Sequence, residues 1–530
     1  MSAHVFAPSR SGDRFAADAA IRHRSLPFVT APRVVIIGAG PAGLTAGYLL
    51  TKANVPIVVL EGDPQYVGGI SKTATYKGYH FDIGGHRFFS KSQEVENLWT
   101  EILPDDMLVR PRSSRILYRN RFFAYPLKGR EALTKLGIFE SLRCGFSYLW
   151  ARLFPVRTPR SFEDWVSNKF GHRLFNIFFK TYTEKVWGMS CKEISADWAA
   201  QRIKGLSLTT AVLAALFPKR KPRTGAKVVK TLIDSFRYPR LGPGMMWEAC
   251  AAKILARGGR VEMGRRVTQC SYDSGTQLWS VTSREADGRE HTIEAEHVIS
   301  TAPVRELCKM LKPPVSETVA HAADQLKYRD FITVVLILKD RDAFSDNWIY
   351  VHDPAVMVGR VQNFKSWSPE MVPDPATTCY GLEYFCFEHA DGLWGFSDEK
   401  LEELGRKEIV QLGLAHAEDI LDAHVVRQRK AYPVYDDSYA EHLVTIRTEL
   451  EQRFQTLHLV GRNGMHKYNN QDHSMMTAML CVQNILAGKR VYDLWGVNED
   501  AEYHESGEHS ASVTGLRQVP QRIEPADAKV

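Results

Sequence analysis

The feature that most narrows the fold is a glycine-rich turn, Gly38-x-Gly40-x-x-Gly43, set directly after the apolar run Val34-Val-Ile-Ile37. The segment Ala42 to Lys52 that follows reads as a helix, and Ile57-Val-Val-Leu60 reads as a second buried strand. The result is a β-α-β unit on a parallel sheet. Gly38 permits the tight turn, Gly40 lets backbone approach a pyrophosphate, and Gly43 allows the helix to pack close to the strand. The helix N-terminus adds N–H groups and positive dipole. Glu61 closes the second strand about twenty residues on, where a carboxylate receives ribose hydroxyls. A lone glycine triplet is weak evidence, but this one has strand, helix and acid. Two further pairs, Gly68-Gly69 and Gly84-Gly85, let backbone lie along a long ligand, which suits FAD in an extended pose better than NAD.

At 530 residues with 44% hydrophobic content, the chain can bury two or three interleaved units, which excludes a small binding module. Lys and Arg exceed Asp and Glu by 68 to 61. That mild excess suits an anionic ligand and not a nucleic-acid scaffold, although a basic surface kept for solubility accounts for it equally well. The eight cysteines are scattered without a C-x-x-C pair, and read as reduced, mostly buried thiols with no metal site. Neither a signal-type apolar run near the N-terminus nor a later membrane-spanning run is found, so a cytoplasmic protein without an integral membrane segment is expected.

Composition suggests flexible tails over 1–31 and 500–530, and an exposed basic loop at Pro218-Lys-Arg-Lys-Pro-Arg223. Strands return at Arg260-Val-Glu-Met, His297-Val-Ile-Ser-Thr301, Ile332 to Leu338 and Leu457-His-Leu-Val460. The fold class expected is therefore α/β. A discontinuous Rossmann-like FAD domain (32–110, 230–305 and 455–490) would carry an inserted helical domain (130–225) and a mixed β-sheet substrate domain (111–129 and 306–454).

Five motifs occur in order along the chain: Phe81-Asp-Ile-Gly-Gly-His-Arg-Phe-Phe-Ser90, Ser161-Phe-Glu-Asp-Trp165, Tyr182-x-x-Lys-Val-Trp187, Phe236-Arg-Tyr-Pro239, and Gly461-Arg-Asn-Gly464 with Asn470-Gln-Asp-His-Ser474. With these the chain resembles the UDP-galactopyranose mutase family of flavoproteins, its longer eukaryotic-type members most of all, from about Arg33 to Leu486. The resemblance implies an FAD-dependent isomerase that interconverts pyranose and furanose forms of a nucleotide-diphosphate sugar, through nucleophilic attack of reduced FAD N5 on the anomeric carbon. It also implies a role in cell-surface polysaccharide biosynthesis, NAD(P)H as one candidate reductant, and a homo-oligomer as one candidate assembly.

The resemblance assigns roles to residues. Arg360 and Arg462 match the pair that grips the substrate diphosphate, a task that suits guanidinium groups because they bind phosphate oxygens bidentately and stay charged. His86 matches a loop residue beside the flavin, and Arg202 an arginine close to it. Tyr350, Tyr432 and Tyr468 match hydroxyls that reach the diphosphate, and Tyr125 lines the nucleotide end. Phe178 and Trp187 match aromatics near base and sugar, and Trp348 one at the sugar end. Gly38, Gly40, Gly43, Glu61, Gly68, Gly69, Gly85, Arg462, Gln471, Asp472 and Ser474 are implied on the cofactor.

Three positions depart from the family pattern. Lys128 and Thr183 stand where amides contact uracil, and Trp367 stands where a tyrosine is usual. Base selection depends on specific hydrogen bonds, so uridine and galactose do not follow from the resemblance. An FAD-dependent oxidoreductase of the amine oxidase, protoporphyrinogen oxidase or desaturase kind shares the FAD domain and the glycine pair. A flavin-containing scaffold without catalysis is the remaining alternative.

Overall fold

The computed structural model describes residues 32–125, 127, 129–194, 196, 235–388 and 392–498. The expected tails, the basic stretch 218–223, Lys128 and Arg202 lie outside the described residues.

Four consecutive β-branched or leucine residues at Val34–Ile37 and again at Ile57–Leu60 are buried on both faces, which a strand sandwiched between layers requires. They pair in parallel, Val34 opposite Ile57, and form the centre of a five-stranded sheet. Its other strands come from far along the chain: Leu457–Leu459, then His297–Ser300 beside Val34–Ile37, and Arg260–Glu262 beyond Ile57–Leu60. The helix Pro41–Lys52, with Pro at its first position, packs against Gly244–Ala256 and Gln471–Ala487 over one apolar layer. One sheet is thus assembled from segments more than 400 residues apart.

A second sheet has seven strands, in the order Ile420–Pro433, Tyr328–Lys339, Thr377–Cys386, Arg360–Asn363, Trp348–Val351, Ser114–Tyr118 and Arg121–Ala124. All pairs are antiparallel except Trp348–Val351 with Ser114–Tyr118. Its interior strand Thr377–Cys386 is buried at every position, and Asp398–Gln411 packs over one face. The helices Gly129–Leu136, Ile138–Leu153, Phe162–Phe170, His172–Phe175 and Thr181–Trp187, with a π turn at Asn176–Lys180, form a lobe against the Ser114 edge. A four-stranded sheet of Glu290–Ala295, Leu278–Arg284, Arg266–Asp273 and Leu311–Lys312 completes the mixed α/β architecture. All eight cysteines are buried and free, as their scatter suggested.

Candidate active site

The glycine turns first define where a dinucleotide would lie. Gly38 has φ +94°, and a Cβ there would sit 2.2 Å from Thr301 Oγ1; at Gly43 it would sit 2.0 Å from the Gly38 carbonyl oxygen. Both glycines are therefore required by the protein's own packing. Gly40 is different, because the nearest atom to a Cβ there is Gly69 Cα at 4.0 Å. Two glycine turns thus approach each other closely at the N-terminus of the Pro41 helix, where an anion is favoured. Glu61 accepts from Ala39 N at 2.6 Å and Asp63 N at 2.8 Å, which fixes its carboxylate beside the turn. Burial pushes that carboxyl up, and the two N–H groups partly offset it. These residues fit the pyrophosphate and ribose of FAD. Gly40→Val should therefore fold, with thermal unfolding close to the parent apoprotein, but purify without the yellow flavin absorbance. Full flavin content in that variant would remove Gly40 from the cofactor path.

From the carboxyl end of the same sheet a cleft of about 760 Å³, open mouth included, runs toward the seven-stranded sheet, and ligand crevices of α/β folds lie at that end. It is lined by Gly85, His86, Arg87, Phe89, Arg360, Tyr432, Arg462, Tyr468, Asn470, Gln471 and Asp472. Arg360 opens its strand and sits opposite Glu383, to which its Nε donates. Glu383 is a lone acid in a fully buried strand, and its second oxygen accepts from Gln362 Nε2 at 2.6 Å. Burial works against the Arg360 charge, but Glu383 together with Tyr182, Tyr432 and Tyr468 raises the guanidinium well above its ordinary value. Arg360 Nη2 also donates to the Tyr432 hydroxyl at 3.4 Å.

Arg462 comes from the opposite side, on the short turn Gly461–Gly464 after the last strand of the cofactor sheet. Its partners are neutral: Nε donates to Asn469 O at 2.9 Å and Nη1 to Ala431 O at 3.1 Å. Its guanidinium lies 5.2 Å from the Tyr432 ring centre and 5.0 Å from that of Tyr468. Those rings stack at 5.6 Å and 16°. The two arginines therefore bracket one tyrosine, and among the described residues Arg462 has no carboxylate partner.

His86 Nε2 lies 2.9 Å from Ile83 O, a carbonyl that can only accept, so Nε2 carries the proton. Nδ1 then accepts from Ser71 Oγ at 3.4 Å. Burial is the main cause that lowers this imidazole to about 4, and the Arg462 and Arg360 charges act in the same direction, against the Ile83 carbonyl. His86 is neutral at working pH. We expect the pH profile of turnover to carry no inflection near the ordinary histidine value of about 6.5 that depends on His86, so His86→Asn should not change its shape. An inflection there that His86→Asn abolishes would contradict this protonation state.

The Gln471–Ala487 helix aims its N-terminus into the cleft, capped by Asn470. Gln471 Nε2 donates to Arg87 O at 3.0 Å, whereas Gln471 Oε1 is buried without a partner among the described residues. An orphaned acceptor beside a cleft suits an N–H-bearing ligand such as an isoalloxazine edge. Burial raises Asp472 to about 7. Ser474 is buried on the next turn of the helix.

The remaining expected residues are placed as follows. Tyr350 and Trp348 stand side by side on the strand Trp348–Val351; Tyr125 packs on Tyr350 at 4.7 Å, and Arg87 lies over Trp348 at 4.9 Å. They form an aromatic wall outside the set that lines the cleft itself. Trp367 is fully buried, stacks on Trp348 at 5.3 Å and donates to Asn347 O at 3.0 Å. It supports the Gly85 turn, where a Cβ would lie 3.4 Å from its ring. Trp187 packs 6.4 Å from Tyr468. Phe178 is buried in the lobe against Phe123 at 5.2 Å, and Thr183 is buried on the Thr181 helix. Neither lines the cleft. The sequence does not single out Glu383 or Gln362, and Arg87, Asn470 and Tyr182 appear in it only as members of motifs; the Tyr182 ring stacks on His352 at 5.0 Å and meets Tyr350 edge-on at 5.3 Å. A single acid in an otherwise apolar strand was the available signal for Glu383.

The split parallel sheet with its glycine cradle, joined to an antiparallel sheet across one cleft, is the FAD-dependent flavoprotein fold. Residues 41–440 match the flavin containing amine oxidoreductase family, and the chain belongs to it. A crystal structure of reduced UDP-galactopyranose mutase superposes with TM-score 0.72 at 22% identity, covering 87% of this chain and 94% of that one. Wild-type putrescine oxidase bound to putrescine superposes with TM-score 0.57 at 16% identity, covering 86% and 99%. Among curated proteins, dTDP-fucopyranose mutase of Escherichia coli is 25% identical over 175 residues, 31% of this chain and 44% of that protein. The first curated relatives are matched over less than half of their own length, 11%, 44% and 27%.

Proposed function

We propose that the chain is a flavin-dependent pyranose–furanose mutase acting on a nucleoside-diphosphate sugar. The observation that carries this reading is the pair of guanidinium groups in one cleft, Arg360 anchored by Glu383 and Arg462 hydrogen-bonded, among the described residues, to two backbone carbonyls and seated over the Tyr432 and Tyr468 rings. Arg462 retains its full charge for an incoming anion, and Arg360 is held in position to share it. Bound and reduced, the flavin would supply the nucleophile. The chain's own residues would bind the diphosphate between Arg360 and Arg462, stabilise its growing charge as it leaves the anomeric carbon, and keep it in place for its return. Tyr432 and Tyr468 would donate to its oxygens, and neutral His86 would hold the Gly84-Gly85 turn. The aromatic wall of Tyr125, Tyr350 and Trp348 would exclude water from the sugar.

Family membership by itself leaves net oxidation of an amine as a second reading. A cationic amine entering this cleft would meet three arginines, Arg87, Arg360 and Arg462, and like charges at close range oppose binding. Stoichiometry separates the two. We expect catalytic dithionite under anaerobic conditions to support many turnovers of a nucleoside-diphosphate pyranose to its furanose form, resolved by chromatography. One acceptor reduced per turnover, with an amine consumed and no ring-form exchange, would sink the mutase reading.

A further inference from the structure

The helix Ile138–Leu153 is built inside out. Its inward side is polar or small: Glu140 binds Arg173 Nη2 at 3.0 Å, Ser147 Oγ accepts Arg173 N at 3.0 Å, and Cys144 packs with Phe123 and Phe178. Gly171 allows a close approach, since a Cβ there would sit 2.7 Å from Tyr148 N. The outward side carries Ile138, Phe139, Leu142, Phe146, Leu149, Trp150 and Leu153, and Phe154 and Val156 extend it. Phe139 is 81% exposed, Phe146 70%, Trp150 67% and Leu153 72%. Positions 139, 142, 146, 149, 150 and 153 recur at helical spacing, so they form a continuous apolar face, which single surface hydrophobics do not.

The charge around this face is one-sided. Arg143, Arg152, Arg157 and Arg160 are exposed along 137–160, and the one acid of that stretch, Glu140, is already engaged with Arg173. Aromatic and leucine side chains on one surface, flanked by arginines, are the composition of a helix that lies in the headgroup plane of an anionic bilayer. At sixteen residues the helix is about 24 Å long. Among the described residues no helix is long and apolar enough to cross a membrane. We propose that this face docks the enzyme on the surface of an anionic lipid bilayer, with the helix parallel to the membrane plane. Cys144 and Tyr350 share one apolar cluster, so the docked helix would sit one packing layer behind the aromatic wall of the cleft.

The test uses the full-length flavoprotein and sedimentation with vesicles of phosphatidylcholine alone or with about one-third phosphatidylglycerol. Binding to the anionic vesicles should weaken at about 1 M salt, where screening shortens to about 3 Å. Phe146→Glu with Trp150→Glu should abolish it with flavin content and soluble turnover unchanged, and Arg152→Gln with Arg157→Gln should weaken it roughly 30-fold. Addition of vesicles should blue-shift the tryptophan emission of the parent, and the shift should be lost in Trp150→Phe. Two results would overturn the proposal. One is absence of vesicle binding by a protein that sediments as a dimer and becomes monomeric in the double glutamate variant, which would assign the face to a second copy. The other is absence of vesicle binding by a monomer.

Discussion

Arg462→Ala should lower kcat/KM for a nucleoside-diphosphate sugar by about 10³-fold, at the upper end of the loss when one preorganised donor to a developing charge is removed. The size follows from its partners. Because Arg462 has, among the described residues, no carboxylate partner and hydrogen-bonds to the carbonyls of Asn469 and Ala431, an anion arriving there would supply the missing counter-charge. Water-excluded, nearly fixed donors cost little reorganisation as the diphosphate leaves. The same side chain ties the Lys467–Asn470 segment to the end of the Ile420–Pro433 strand, so a structural contribution must be separated from a chemical one. Arg462→Lys does this. It keeps a positive charge but not the planar fork, and should recover part of the kcat/KM loss if charge matters. The flavin content of both variants, read by absorbance after denaturation, should equal that of the parent. If alanine and lysine variants both lose flavin and unfold early, Arg462 serves the fold and the diphosphate role fails.

What the sequence made legible, and what it did not, follows from the range of each interaction. The glycine turn and its flanking strands are a local pattern, since Gly38 and Gly43 are demanded by contacts within that unit and by one threonine beyond it. The assembly of His297–Ser300 and Leu457–Leu459 onto the same sheet could be anticipated because both are short strand-like apolar runs, one of them near the far end of the chain, that fit a discontinuous nucleotide-binding sheet. The seven-stranded order with its one parallel pair could not, because that register depends on cross-strand packing between segments more than 200 residues apart. The site divides in the same way. Arg360 and Arg462 came from the family resemblance, and unaided each reads as a surface ion-pair former. The lone acid Glu383 in an apolar strand is a signal of some role, but its partnership with Arg360 and Gln362 is not legible, because it lies in alternate positions of neighbouring strands, where a period of two brings the three to one face. Phe178 shows the limit of carrying over residue types, because an aromatic at helical spacing packs in a core whether or not a ligand lies beyond it.

The largest effect on stability is expected at Arg360. Its guanidinium is the charge partner of Glu383, a carboxylate on a strand buried at every position, and Gln362 is the only other donor to it among the described residues. Arg360→Met removes the cation and leaves the acid behind. Breaking a buried pair from one side costs about 3–5 kcal/mol, more than the pair contributes net of desolvation. Burial already raises the Glu383 carboxyl and Arg360 lowers it, so the variant raises it further. An acid whose folded value lies above its unfolded value binds more protons when folded, and its contribution to stability is therefore present at low pH and lost as pH rises. Arg360→Met should consequently unfold at a lower temperature than the parent at pH near 8, and close much of that gap near pH 5, measured by circular dichroism. Adding Glu383→Gln should restore most of the loss at the higher pH, because a neutral amide still accepts from Gln362. Activity should stay abolished in both, since neither returns a guanidinium to the cleft. Unfolding temperatures for Arg360→Met that match the parent at both pH values would mean that Glu383 carries no charge in the folded protein, and the buried ion pair would be ruled out.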